Sequence, residues 1–212
     1  MKIRVSLFFS VCLIGIFAAS VGAEPPANPA VSKNTVILLI RHAEKPDSGT
    51  GLAPEGEKRA QAYVSFFSPY HLGAQPLTID ALFAAKDSEG SARPRLTISP
   101  LSTALKLPLN TDYDGKGYDR LAKHLQADEY KGKTVVICWK HGEILDLANA
   151  LGVKAEALPA SAHWPAEWPV DQYDWLLQIV RDESGAIDLA KTLCITKPAL
   201  NLKGTAKQIP GK

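Results

Sequence analysis

Two uninterrupted apolar segments constrain the fold of this chain more than any other feature. They lie within residues 35–40 (TVILLI) and residues 133–139 (KTVVICW). A run of branched apolar residues without polar alternation predicts a strand that is covered on both faces, as in a parallel sheet between helices. The chain is therefore expected to build its core around a buried sheet.

Helical patterns separate these strands, which predicts an α/β fold. We expect a three-layer sandwich with a mostly parallel central sheet, helices on both faces and a C-terminal β-hairpin. The predicted helices are residues 52–67, 94–105, 118–125 and 144–151, and a further strand covers residues 79–84. Pro100 is expected to bend or split the second helix. The hairpin is expected from residues 175–180 and 186–194, around Ser184 and Gly185.

The amino terminus has the features of a secretory signal peptide. Lys2 and Arg4 precede an apolar run, residues 5–19, and small residues follow it at 21–23 (VGA). The run is short for a membrane span, which needs ~20 residues, although an uncleaved anchor is the alternative. The expected organisation is a signal peptide at 1–23, an extended leader at 24–34, one domain at 35–196 and a polar tail at 197–212. The expected location is periplasmic or secreted, with no stable membrane association after cleavage.

The charge balance excludes one class of partner. The chain has 24 Lys and Arg against 22 Asp and Glu, so removal of Lys2 and Arg4 with the signal leaves 22 against 22. A protein that binds polyanions usually has a basic excess, and no nucleic acid partner is therefore predicted. Export leaves Cys138 and Cys194, which either pair in an oxidising compartment or remain buried thiols.

Both buried strands run directly into a histidine. Arg41 and His42 follow the first strand, and His141 follows the second. Parallel strands end at the same edge of a sheet, so the two imidazoles meet there if the strands are neighbours. A neutral imidazole is a nucleophile near neutral pH.

Arginine side chains provide the complementary chemistry, because a guanidinium binds phosphate oxygens through several donors. Arg93 lies after the strand at 79–84 and immediately before Pro94, which suits the first turn of a helix. Arg95 is the rival and is more typical of a solvated helix charge. The closely spaced ligand patterns of zinc sites are missing from the sequence, so we predict no metal and no cofactor.

Four motifs in order resemble the histidine phosphatase (phosphoglycerate mutase-like) superfamily. They are RHAEKP at 41–46, LxxxGxxRA at 52–60, SxRxxxT at 91–97 and a strand that ends in His-Gly at 141–142. The resemblance covers roughly residues 35–152. It implies a metal-independent phosphomonoesterase acting on a small phosphorylated substrate. His42 would be the phosphorylated nucleophile, and Arg41, Arg93 and His141 would bind the phosphoryl group.

The chain departs from the family pattern at three places. Ala43 and Leu96 stand where many members have Gly and Gln. The general acid does not map onto one residue, and Glu143 is favoured slightly over Asp112. Asp114, Asp119 and Glu44 are weaker candidates, and Glu44 is expected to pair with a cation.

Other functions remain open on the sequence alone. The alternatives are a noncatalytic phosphate- or ligand-binding member of the same fold and a phosphoglycerate-mutase-type phosphotransferase. The sequence does not define the oligomeric state. The segment at 163–169 (HWPAEWP) either stacks on the organic part of a substrate or covers the end of the sheet.

Overall fold

The computed structural model of the protein describes residues 34–202. The strands in that range are β1 (Thr35–Arg41), β2 (Tyr70–Leu72), β3 (Gln75–Leu77), β4 (Ala81–Ala84), β5 (Leu109–Asn110), β6 (Thr134–Trp139), β7 (Leu176–Arg181) and β8 (Leu193–Ile195). The α-helices are α1 (Pro54–Phe67), α2 (Arg93–Leu105), α3 (Tyr118–His124) and α4 (Ile144–Ala150). Short 3₁₀ helices cover Asp128–Tyr130, Ala155–Ala157 and Ala160–Ala162.

Six strands form the central sheet in the order β5-β4-β6-β1-β7-β8. The first four are parallel, whereas β7 is antiparallel to β1 and β8 is antiparallel to β7. The two strands that the sequence marks as buried, β1 and β6, are neighbours, with Ile40 opposite Cys138. Strands β2 and β3 form a separate two-stranded sheet. The predicted mostly parallel sheet is confirmed.

Side chains alternate across β1 and divide the core between the two faces of the sheet. Leu38 and Ile40 pack with residues of α1 and α2, whereas Ile37 and Leu39 pack with residues of α3 and α4. All four are fully buried. Because each face of β1 is covered, its apolar run needs no polar alternation. The predicted three-layer sandwich is confirmed.

The helix boundaries follow local signals in the sequence. Pro54 begins α1, where a missing N–H costs no hydrogen bond. Gly152, with φ +97°, follows the end of α4 in a left-handed conformation that glycine adopts without strain. Helix α2 continues through Pro100 from Arg93 to Leu105, so this proline does not split it.

The C-terminal hairpin is confirmed, but its second strand is shorter than predicted. Strand β7 ends in a turn in which the Asp182 carboxylate accepts hydrogen bonds from the N–H groups of Ser184 and Ala186. Ile187 makes one isolated bridge to Arg181, and regular pairing resumes only at β8. The prediction of a continuous strand over 186–194 is wrong, because a further turn follows Ile187.

The two cysteines lie in the core as free thiols. Cys138 on β6 packs on the face of α1 and α2, and Cys194 on β8 packs on the face of α3 and α4. Two strands, β1 and β7, separate β6 from β8. Cysteines on opposite faces of different strands cannot bring their sulfurs together, so the structure excludes the disulfide that the sequence left open.

The predicted signal peptide lies outside the described residues, as do the leader except for Asn34 and the tail beyond residue 202. Residues 197–202 have no helix or strand. Within residues 34–202, no helix is long and apolar enough to cross a membrane.

Candidate phosphate-binding site

The two histidines lie side by side at the carboxyl edge of the sheet. His42 directly follows β1, and His141 follows β6 after one intervening residue. Since these strands are adjacent and parallel, the imidazole centroids lie 6.3 Å apart, with the rings at 81° to each other. His42 is 6% exposed, whereas His141 is partly open to solvent.

The environment of His42 keeps its imidazole neutral. Its Nδ1 lies 2.8 Å from the carbonyl oxygen of Ala43. A carbonyl only accepts, so Nδ1 carries the proton and Nε2 keeps the lone pair. Burial lowers the pKa of His42 to about 4, and the charges of Arg41, Arg93 and His141 act in the same direction. At neutral pH the side chain is therefore an uncharged nucleophile at Nε2.

A buried hydroxyl connects the His42 loop to helix α2. The Ala43 N–H donates to Oγ1 of Thr97 over 2.8 Å, and that hydroxyl donates to the Arg93 carbonyl over 2.8 Å. Ala43 and Thr97 have no exposed surface. Ala43 does not adopt a positive φ, so alanine is accommodated where family members have glycine. Thr97 thus fixes the start of α2 against the loop that carries His42.

The LxxxGxxRA motif packs against the loop that carries His42 and Glu44. A Cβ at Gly56 would lie 2.6 Å from the Glu44 carbonyl oxygen, so only glycine lets α1 approach the loop so closely. One turn later, Arg59 makes a bidentate ion pair with the Glu44 carboxylate, with the shortest N–O distance at 2.6 Å. Glu44 therefore pairs with a cation, as the sequence analysis expected.

Arg41 is almost completely buried, at 1% exposure, and one nitrogen of its guanidinium is bonded to backbone carbonyls. Its Nη1 lies within hydrogen-bonding distance of the carbonyls of Pro169 (3.2 Å), Val170 (2.9 Å) and Gln172 (2.9 Å). Its Nε is buried and has no partner among the described residues. Arg41 therefore places a positive charge beside His42 while its Nη1 is held by the chain before β7.

Arg93 is held more loosely than Arg41. Its Nη1 and Nη2 donate to the carbonyls of Gly49 and Gly90 over 3.3 and 3.2 Å, in exposed positions. Its Nε is buried without a partner in the described part of the chain. Arg95 instead pairs with Asp87 at 2.7 Å on an exposed surface, away from any contact with His42. Of the two arginines, Arg93 is the one whose donors are available to an anion near His42.

His141 is the fourth predicted residue of the site, and its imidazole can donate a hydrogen bond to an anion. Burial lowers its pKa, and the charges of Arg41 and Lys45 lower it further. Three of the predicted residues, Arg41, Arg93 and His141, thus lie near enough to His42 to lower its pKa, and Arg41 also lowers the pKa of His141. Such a set can neutralise an oxyanion and present one nucleophilic nitrogen to it.

The two candidate general acids follow different strands, Asp112 after β5 and Glu143 after β6. Asp112 is exposed, and its carboxylate accepts a hydrogen bond from the Asn110 side chain at 3.0 Å. It follows β5, which is three strand positions from β1, or about 14 Å at ~4.8 Å per strand. Glu143 directly precedes α4. Within residues 34–202, no carboxylate is among the groups that shift the pKa of His42 or His141.

Tyr173, which no sequence motif indicated, lies beside Arg41 and His42. The Arg41 Cζ is 3.9 Å from the centroid of the Tyr173 ring, and the His42 ring is 6.3 Å from it. The available signal was the position of Tyr173 shortly before the buried run of β7. The nearby Trp168 is instead a core residue, 7% exposed and 5.6 Å from Trp175. These tryptophans cover the end of the sheet, as one of the two interpretations of the sequence proposed.

Among residues 34–202, no group of three or more His, Cys, Asp or Glu side chains is arranged to hold a metal ion. The guanidinium groups of Arg41 and Arg93 have hydrogen-bond donors and no acceptor, so they bind anions rather than metal ions.

Comparison with known proteins gives structural matches only. No family model and no curated protein matches the chain. A candidate phosphohistidine phosphatase, SixA, from Nakamurella multipartitia is 17% identical, with a TM-score of 0.44 over 76% of this chain and 92% of that one. A candidate SixA from Agrobacterium tumefaciens is 18% identical, with a TM-score of 0.45 over 72% of this chain and 95% of that one.

Proposed function

We propose that the protein is a metal-independent phosphomonoesterase that acts through a phosphohistidine on His42. One observation supports this more than any other. A buried histidine has its Nδ1 proton committed to a carbonyl, which leaves Nε2 as the nucleophile, and Arg41, Arg93 and His141 lie around it. Positioning and charge neutralisation are what phosphoryl transfer requires of a protein.

The proposed reaction has two steps. The lone pair on Nε2 of His42 attacks phosphorus, and the bond from phosphorus to the leaving oxygen breaks. Arg41, Arg93 and His141 neutralise the phosphoryl oxygens, while an acid gives a proton to the leaving alkoxide. Water then attacks the phosphohistidine and gives a proton to the carboxylate that the acid left behind. This step breaks the bond from nitrogen to phosphorus, releases inorganic phosphate and restores neutral His42 and the protonated acid.

The identity of the acid remains a proposal, with Glu143 and Asp112 as the candidates. Among the described residues, Glu44 and Asp171 raise the pKa of Arg41, whereas no carboxylate shifts the pKa of either imidazole. A reaction that needs less help from an acid is therefore a second candidate function. The matched structures are named for phosphohistidine, in which the phosphoryl group is bonded to nitrogen. When that bond breaks, the leaving group is an imidazole, which needs less help from an acid than an alkoxide does. Hydrolysis of a phosphoramidate is therefore the alternative to hydrolysis of an ester.

The test is turnover together with trapping of the intermediate. The wild-type protein should release phosphate from p-nitrophenyl phosphate in the presence of EDTA, and rapid denaturation should trap an acid-labile phosphoenzyme. His42→Ala should lose both signals. His71→Ala is the matched control, because His71 is exposed on β2 outside the central sheet, and it should keep both. Full turnover by His42→Ala would refute the proposal.

The same assays separate the alternatives. A noncatalytic binding protein would bind phosphate or vanadate but release none from a substrate. A phosphotransferase of the mutase type would isomerise a phosphoglycerate instead of hydrolysing it. Comparing an alkyl phosphate with free phosphohistidine decides between an ester and a phosphoramidate as the preferred substrate.

We also propose that the protein is exported. Lys2, Arg4, the apolar run and the small residues at 21–23 support cleavage after Ala23. A mature protein that begins at Glu24 in the periplasmic or culture fraction is the expected result. A cytoplasmic protein that retains Met1 would contradict it.

A further inference from the structure

The chain topology brings an unexpected segment to the proposed site. Strand β7 is antiparallel to β1, with Leu176 opposite Ile40. The residues that precede β7 therefore arrive at the edge where β1 ends and His42 begins. We refer to residues 169–174 (PVDQYD) as the 169–174 loop. No motif of the family resemblance includes this loop.

The 169–174 loop holds the Arg41 guanidinium from two directions. In the plane of the group, Nη1 contacts the carbonyls of Pro169, Val170 and Gln172 within 3.2 Å. Against its face, the Tyr173 ring lies with its centroid 3.9 Å from Cζ. A cation at this distance over an aromatic face is attracted by the ring quadrupole, and more strongly where water is excluded.

We propose that Tyr173 is a positioning residue, whose ring fixes the Arg41 guanidinium beside His42 and forms one wall of the phosphoryl site. The proposal rests on the proposed function of His42 and Arg41. The ring centroid also lies 6.3 Å from that of the His42 ring, so Tyr173 is a neighbour of the nucleophile as well as of the cation.

The 169–174 loop is also held by hydrogen bonds that do not involve the Tyr173 ring. Replacement of Tyr173 should therefore leave the loop in place. The Trp168 indole N–H donates to the Gln172 carbonyl over 2.8 Å, and the Gln172 side chain donates to Asp174. Trp168 is itself part of the core. The Tyr173 hydroxyl makes no hydrogen bond to another described residue, so the ring rather than the hydroxyl is expected to carry the effect.

Loss of the ring should change the charge state of His42. The charged or titratable groups facing His42 are Arg41 from β1, Arg93 from α2, His141 after β6 and Tyr173 itself. Burial and then the nearby cations hold the pKa of His42 low. Removing the ring exposes the imidazole and frees the guanidinium, and both changes raise that pKa.

The experiment compares Tyr173→Leu, Tyr173→Phe and the control Tyr118→Leu. Tyr118 begins α3 and packs partly buried against the core, so its replacement removes the same atoms at another place. Two measurements are made on each protein: the pKa of His42 by NMR of labelled histidine, and the dissociation constant of inorganic phosphate by calorimetry. Neither measurement depends on turnover.

Tyr173→Leu should raise the pKa of His42 from about 4 toward its ordinary 6.5. It should also weaken phosphate binding about tenfold. In a separate turnover assay, KM should rise more than kcat falls, because weaker binding of the phosphoryl group is the main effect. Tyr173→Phe and Tyr118→Leu should match the wild type in the pKa of His42 and in phosphate affinity.

An unchanged pKa of His42 in Tyr173→Leu, with wild-type phosphate affinity, would overturn the proposal. So would equal effects in Tyr118→Leu, which would indicate general loosening of the fold. If the wild type neither binds phosphate nor turns over substrate, the proposed function fails. The NMR titration then still decides whether Tyr173 controls His42.

Discussion

The hydroxyl of Thr97 offers a sharp test of how the site is held together. It accepts from the Ala43 N–H and donates to the Arg93 carbonyl, each over 2.8 Å, at a position with no exposed surface. Thr97→Val keeps the branched shape and removes only the hydroxyl. The Ala43 N–H is then buried without a partner, one residue from His42.

Thr97→Val should lower the free energy of unfolding because the Ala43 N–H loses its acceptor. An unpaired buried N–H costs about 1–3 kcal/mol. For a domain of this size each kcal/mol lowers Tm by about 2–4 °C, so the expected decrease is about 5 °C. Because Thr97 also fixes the start of α2, Arg93 should be misplaced relative to His42, and kcat/KM should fall by roughly tenfold to a hundredfold.

Thermal unfolding and p-nitrophenyl phosphate hydrolysis measure the two effects on the same samples. Thr97→Ser keeps the hydroxyl and is the matched control, so it should retain most of the activity. A Thr97→Val protein with wild-type Tm and kcat/KM would refute the reasoning. Equal losses in both variants would also contradict it, because Thr97→Ser keeps the hydroxyl that is argued to hold the site together.

Three further predictions concern charge and thiols. The folded pKa of His42, about 4, lies below its ordinary 6.5, so protonation favours the unfolded chain, and stability should fall as the pH decreases from about 6.5 to about 4. The loss across that window is about 3 kcal/mol in urea unfolding, and His42→Asn should abolish this part of the pH dependence. Glu44→Gln removes the partner of the buried Arg59 guanidinium and should cost about 3 kcal/mol in the same assay, whereas a loss below the measurement error would contradict the role of the pair. Mass spectrometry without reduction should find Cys138 and Cys194 unlinked after oxidation, and a bond between them would contradict the placement of the two thiols on opposite faces.

The position of the two histidines could be predicted because it depends on local patterns. An apolar run without alternation indicates a strand buried on both faces, and parallel strands end at one edge. His42 and His141 each follow such a run and lie 6.3 Å apart. Arg93 follows β4, the next strand beyond β6, and the same reasoning applies to it.

Tyr173 could not be predicted in this way. The sequence indicates a terminal hairpin but not which edge of the sheet it joins or in which direction. Only the antiparallel pairing of β7 with β1 brings Tyr173 to Arg41. Long-range pairing depends on the packing of the whole domain, which a local pattern does not encode.

The position of the general acid could not be predicted from nearness in the sequence. Glu143 is two residues from His141, yet it is absent from the groups that shift the pKa of that histidine. The chain turns into α4 directly after Glu143, so nearness in sequence does not determine where the carboxylate lies. The Arg41 side chain shows a related limit, since the RH pair in the sequence does not indicate that Nη1 is bonded to the 169–174 loop.

The most direct test is a crystal structure with vanadate, which mimics the phosphoryl group in transfer. Vanadate should lie in line with Nε2 of His42 and within hydrogen-bonding distance of Arg93 and His141, with the Arg41 guanidinium beside it. Vanadate bound at another place, with these side chains directed away from one another, would contradict the proposed chemistry.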